Sequence, residues 1–113
     1  VFRVFAFMIG IDWNETVLVG SLLGQKFVLN EFIAYVNLAE MKTAGLLSEK
    51  SILISTYALC GFANFSSIAI QIGGIGSMAQ SRQKDISKLG LRALLAATLA
   101  TLLTGNIAGF IIA

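Results

Sequence analysis

Glu31 sits within Gly24-Gln25-Lys26-Phe27-Val28-Leu29-Asn30-Glu31-Phe32-Ile33-Ala34, part of an apolar stretch too short to cross a bilayer. A helix rises about 1.5 Å per residue, so spanning the hydrocarbon takes roughly 20 apolar residues. The run from Thr16 to Leu29 covers about two-thirds of that depth before Asn30 and Glu31 arrive. A carboxylate that deep in lipid is expensive, so it should face protein or water and have a task. A second polar group lies in Gly61-Phe62-Ala63-Asn64-Phe65-Ser66-Ser67. On a helix Asn64, Ser67 and Gln71 fall at i, i+3 and i+7, one polar stripe on one face. Two readings of that stripe stand level: part of a ligand site, or the polar contact that small and amide residues supply between membrane helices.

The elements that must position these groups are apolar. The 113 residues are 57% hydrophobic and 12% charged, with a mean hydropathy of +0.85. A soluble domain carries about twice that charged share, so the class is an all-α integral membrane protein. The chain has no histidine, which excludes a histidine proton relay or metal site. Cys60 is the only cysteine and sits in an apolar run, where it reads as a small buried hydrophobe. The sequence opens at Val1 without a signal-peptide pattern and is expected to be the C-terminal piece of a longer protein.

Residues 1–11 read as an interfacial helix, ending at Gly10 and the group Asp12-Trp13-Asn14-Glu15, which suits a membrane–water boundary. Residues 12–47 hold two short apolar legs, Thr16 to Leu29 and Ile33 to Leu47, with polar outer ends. They predict a re-entrant helical hairpin whose tip needs protein or a water-filled cavity around it. One continuous helix with a misplaced charge is the alternative. Residues 48–81 read as a transmembrane helix broken at its centre, because Gly61 lowers helix propensity and Asn64, Ser66 and Ser67 compete for backbone hydrogen bonds. Residues 82–113 read as a basic loop followed by a final span. The loop carries Arg82, Lys84, Asp85, Lys88 and Arg92, and Ala93 to Ala113 suffices for one crossing. Thr98, Thr101, Thr104 and Gly105 give that span a small-residue packing face.

The positive-inside rule puts the basic loop in the cytoplasm, and the residues around Ser48 to Lys50 and the C-terminus outside. Four interrupted charges read as topology determinants rather than as a nucleic-acid or polybasic lipid site.

Three signatures carry a resemblance. They are Gly24-x-Lys26-x-x-x-Asn30-Glu31-Phe32-x-Ala34, then Ala58-Leu59-Cys60-Gly61-Phe62-Ala63-Asn64-Phe65-Ser66-Ser67-Ile68 running on to Gln71-Ile72-Gly73-Gly74, and last Ser81-Arg82 to Asp85-Ile86 with Leu91-Arg92-Ala93-Leu94. In this order they resemble the C-terminal part of the concentrative nucleoside transporter family. The resemblance implies a homotrimer of inverted repeats, each with a hairpin and an unwound helix, in the cytoplasmic membrane. It implies ion-coupled secondary active uptake of nucleosides and no enzymatic activity. This chain then binds no cofactor or metal itself. The coupling ion, sodium or proton, has its site in the upstream half of the same transporter.

Carried over by matching positions, Glu31 accepts hydrogen bonds from ribose hydroxyls, Asn64 and Ser67 complete the ribose cradle, and Phe62 packs beside sugar or base. A carboxylate can accept from two vicinal hydroxyls, while an amide and a hydroxyl each donate and accept. Lys26, five residues before Glu31, either neutralises that carboxylate or snorkels to the surface, with a structural partner role favoured. Asn30 is expected to cap the turn. The rival functions are a cation channel subunit, with the hairpin carboxylate lining a pore, and a structural membrane subunit.

Overall fold

The computed structural model describes residues 1–61 and 63–112, and among these the regular structure is entirely helical. Helix α1 covers Phe2–Met8, and Gly10 then turns the chain with a φ of +100°, which a residue without Cβ adopts freely. A single 3-10 turn at Trp13–Glu15 leads into α2, Thr16–Val28. The backbone of α1 lies directly on α2 at Gly20, where a Cβ would come within 2.9 Å of the Arg3 nitrogen. Arg3 also lies over the Trp13 ring at 4.1 Å and donates to the Thr16 hydroxyl at 3.0 Å, which pins the entry to α2.

Helix α3, Glu31–Thr43, follows α2 after only Leu29 and Asn30. The Asn30 side chain accepts from the Ile33 N–H at 3.0 Å, the cap expected of it. Each leg has 13 residues, about 20 Å of rise, short of the roughly 30 Å hydrocarbon.

Helix α4, Glu49–Leu59, begins at an N-cap on Ser48 and buries Ser51, Ile54, Ser55, Ala58 and Leu59. That i, i+3, i+4, i+7, i+8 spacing is one helical face. Helix α5 covers Phe65–Met78, so the two halves of the expected broken helix are separate elements. Its N-cap is Asn64.

The last helix, α6, runs Gln83–Ile112 without interruption. The segment expected to be a basic loop is therefore helical from Gln83 on, entered through a 3-10 turn at Gln80–Arg82. The reason is local. Lysine and arginine are good helix formers, Asp85 is favourable in the first turn, and Arg82 pairs with Asp85 at 2.8 Å. Among the described residues, α6 with its leading turn is the one helix long and apolar enough to cross a membrane.

α6 lies antiparallel along both halves of the break. Cβ positions on Gly109 and Gly105 would strike Ile54 and Ala58 at 2.7 and 2.9 Å, one on Gly61 would strike Thr101 at 2.6 Å, and one on Gly90 would strike Ile68 at 3.0 Å. The core formed by α1, α2, α3, α4 and α6 centres on Ala6, Val19, Leu22, Ala34, Ile54, Ala58 and Leu102.

Candidate functional site

The tip between α2 and α3 meets the start of α5. Phe27 packs edge-on against Phe65 with ring centroids 5.1 Å apart, and the Ser66 hydroxyl donates to the Leu29 carbonyl at 3.3 Å. These contacts bring Glu31, the first residue of α3, against Asn64, the N-cap of α5. Asn64 Nδ2 donates to Glu31 Oε2 at 3.0 Å. Its other side-chain atom, Oδ1, accepts from the Ser67 N–H at 2.7 Å and from the Ser67 hydroxyl at 3.0 Å. Asn64 is 2% exposed, so each of these bonds satisfies a group withdrawn from solvent.

Two helix N-termini thus converge near one carboxylate. The positive ends of the α3 and α5 dipoles favour negative charge there. Glu31 is half-buried, and its Oε1 accepts no hydrogen bond from the described residues. The arrangement offers a fixed acceptor to a donor arriving from outside the chain, with Asn64 holding the carboxylate in place.

On the other side of Asn64, a cleft of about 420 Å³ runs between α5 and α6. Ser67 and Gln71 line it together with Asn64, Ile68, Gly90 and Thr101. The expected polar stripe is therefore real for Ser67 and Gln71, whereas Asn64 precedes the helix and caps it. Three of the four expected site residues, Glu31, Asn64 and Ser67, form one hydrogen-bonded chain. The fourth, Phe62, lies outside the described residues.

Lys26 behaves differently from either expectation. It does not snorkel, being 3% exposed. Among the described residues the ion pair within 4.0 Å is Arg82–Asp85, so Lys26 does not pair with Glu31. Its Nζ donates instead to the Ala58 carbonyl at 3.3 Å and the Thr101 hydroxyl at 2.9 Å, and the Thr101 hydroxyl in turn donates a hydrogen bond to the Thr98 carbonyl at 2.9 Å. Sequence spacing gave no sign of these partners.

At the opposite end of the helix pair, Glu15 accepts from the Ser48 N–H at 2.8 Å, the Ser48 hydroxyl at 3.1 Å and the Ser51 hydroxyl. Partial burial raises its pKa, and the bonds from Ser51 and Ser48 outweigh that and hold it below the ordinary value. The start of α2 is thereby tied to the start of α4.

Apolar helices that stop short, gathering a carboxylate, an amide and a buried ammonium where they end, have the make-up of a membrane transport protein. Residues 1–109 match the family described as the Na+ dependent nucleoside transporter C-terminus, and the chain belongs to that family. It is 54% identical over 112 residues to the uncharacterized transporter YutK of Bacillus subtilis, covering 99% of this chain and 27% of that protein. It is 44% identical over 124 residues to solute carrier family 28 member 3 of Mus musculus, covering 98% of this chain and 18% of that one. The structure of CNTnw in an inward-facing substrate-bound state is 43% identical, with a TM-score of 0.89 over 96% of this chain and 27% of that chain. The chain therefore spans about a quarter or less of the length of these relatives.

Proposed function

We propose that this chain supplies the ribose-binding half of the site in an ion-coupled secondary transporter of nucleosides. The observation that carries the reading is the Glu31–Asn64 hydrogen bond, which brings two polar groups from separate helix pairs to one point inside an apolar fold. Family membership supports nucleoside as the substrate class and sodium as a coupling ion, with the proton as the other candidate. In this reading α2 and α3 form a re-entrant hairpin, and α4 and α5 are the halves of one discontinuous membrane helix. A ribose hydroxyl donates to the free oxygen of Glu31, and the second oxygen stays anchored by Asn64. Ser67 completes the cradle from the first turn of α5, and Phe62 packs beside sugar or base. Pre-anchoring the carboxylate reduces the ordering cost on binding.

The remaining parts of the reading belong to the whole protein. The upstream half contributes the inverted repeat and the coupling-ion site, and three copies assemble in the cytoplasmic membrane, each crossing it several times. The basic turns at the start of α6 face the cytoplasm. No bond is made or broken.

The test uses the full-length transporter in proteoliposomes. Labelled uridine should accumulate above its external concentration when an inward sodium or proton gradient is imposed, and should saturate. Simple equilibration under both gradients, as through a pore, would refute the proposal.

A further inference from the structure

α4 ends at Leu59, and α5 begins at Phe65. The last carbonyls of a helix that stops inside an apolar fold lack N–H partners and carry the negative end of its dipole. In transporters with broken helices such ends gather cations. Here the end already holds a cation that belongs to the chain. Lys26 reaches it from α2, with Nζ 3.3 Å from the Ala58 carbonyl and 2.9 Å from Thr101 of α6. A Cβ on Gly61, just past the break, would lie 3.9 Å from the same Nζ. One ammonium thus joins three elements at the point where the helix opens. Lys26 also stands on the leg whose far end leads into Glu31, and Ala58 on the half-helix whose continuation leads into Asn64.

We propose that Lys26 is a positioning residue: a tethered cation that caps the α4 end, fixes the break that presents Asn64 to Glu31, and closes this half-helix end to a mobile inorganic cation. The coupling ion then binds elsewhere in the transporter. The part of the proposal that concerns substrate affinity rests on the transport reading; the part that concerns cation occupancy does not.

The full-length protein carrying K26M, K26R or T101V decides it through two measurements. The first is the thermal unfolding midpoint in sodium or lithium chloride against N-methylglucamine chloride at equal ionic strength. K26M empties the α4 end, so it should gain a stabilisation by the small cations beyond that of the parent protein, while K26R should not. The second is uridine uptake. K26M should raise KM about tenfold or more with the maximal rate little changed, since a buried hydrogen-bonded charge is lost, and K26R should recover most of it. T101V keeps the charge but removes one acceptor, and should raise KM about threefold. A folded K26M with the parent's cation response and KM would overturn the proposal. If K26M does not fold in any salt, T101V decides alone, and an unchanged KM and cation response would overturn the proposal. Absence of uridine uptake by the parent protein refutes the transport reading instead, and the unfolding measurement still stands by itself.

Discussion

Glu31 and Asn64 are 33 residues apart in the chain and joined by a hydrogen bond of 3.0 Å, the amide donating to one carboxylate oxygen. The amide oxygen is committed elsewhere, to Ser67. Asn64 therefore serves two purposes at once, ending a helix and orienting an acid, and substitutions can separate them.

Glu31→Gln preserves size but removes the charge that strengthens each hydrogen bond it accepts. Binding of uridine to the purified full-length protein should weaken by roughly 1.5–3 kcal/mol, about tenfold to more than a hundredfold. A nucleoside lacking a ribose hydroxyl that Glu31 contacts should lose less. Equal affinities of parent and variant for uridine and deoxyuridine would remove Glu31 from the site.

Asn64→Asp retains an acceptor for the Ser67 N–H, so α5 keeps its cap, but it sets a second carboxylate against Glu31. Asn64→Ala loses the cap as well, at a cost of about 0.5–2 kcal/mol. Uridine binding should fall in both, whereas the unfolding midpoint should fall further in Asn64→Ala. If Asn64→Asp binds uridine normally, the amide donor has no part in holding Glu31.

Gly105→Ala tests the α4–α6 contact. The added methyl would stand 2.9 Å from Ala58 Cβ and 3.2 Å from the Ile54 carbonyl oxygen, which is backbone and cannot rotate away. Overpacking of this kind costs about 1–3 kcal/mol, and the unfolding midpoint of the full-length protein should drop accordingly. An unaltered midpoint would mean that the two helices separate easily.

Acidification should loosen the base of the helix pair. The pKa of Glu15 is lowered in the fold, so its contribution to stability is present above the ordinary value of 4.5 and disappears as pH falls through the lowered one. The difference in unfolding midpoint between the parent and Glu15→Gln should therefore be largest near neutral pH and shrink toward zero in acid. A difference that grows on acidification would reverse the assignment.

Part of the fold was legible in its helix starts. Asn30, Ser48 and Asn64 each accept a hydrogen bond from the backbone N–H three residues on; the cap on Asn30 was expected, whereas Asn64 was expected on a helical face and Ser48 had no assigned role. The break after Leu59 was legible from Gly61 and the polar residues behind it. The basic segment was misread as a loop because charge suggested solvent, and a helix can leave the bilayer without ending. The destination of Lys26 was not legible at all. Its partners stand 32 and 75 residues away, and no periodicity links residues brought together only by the packing of three elements. At the site, the residue types of Glu31, Asn64 and Ser67 were readable, but the division of Asn64 into one atom for Glu31 and another for Ser67 required the geometry.

The antiparallel course of α6 past the break makes it a gauge for the gap. Its contacts step from Gly109 and Gly105 on α4, through Thr101 beside Gly61, to Gly90 on α5. The stretch from Gly90 to Gly105 is thus a rigid ruler of about 22 Å against which both half-helices are registered. A single residue inserted there would turn one end about 100° relative to the other and advance it about 1.5 Å. Whichever part kept its register, the other would be dislodged. The spacing between the two half-helices is therefore written in the length of a third helix that ends at neither of them.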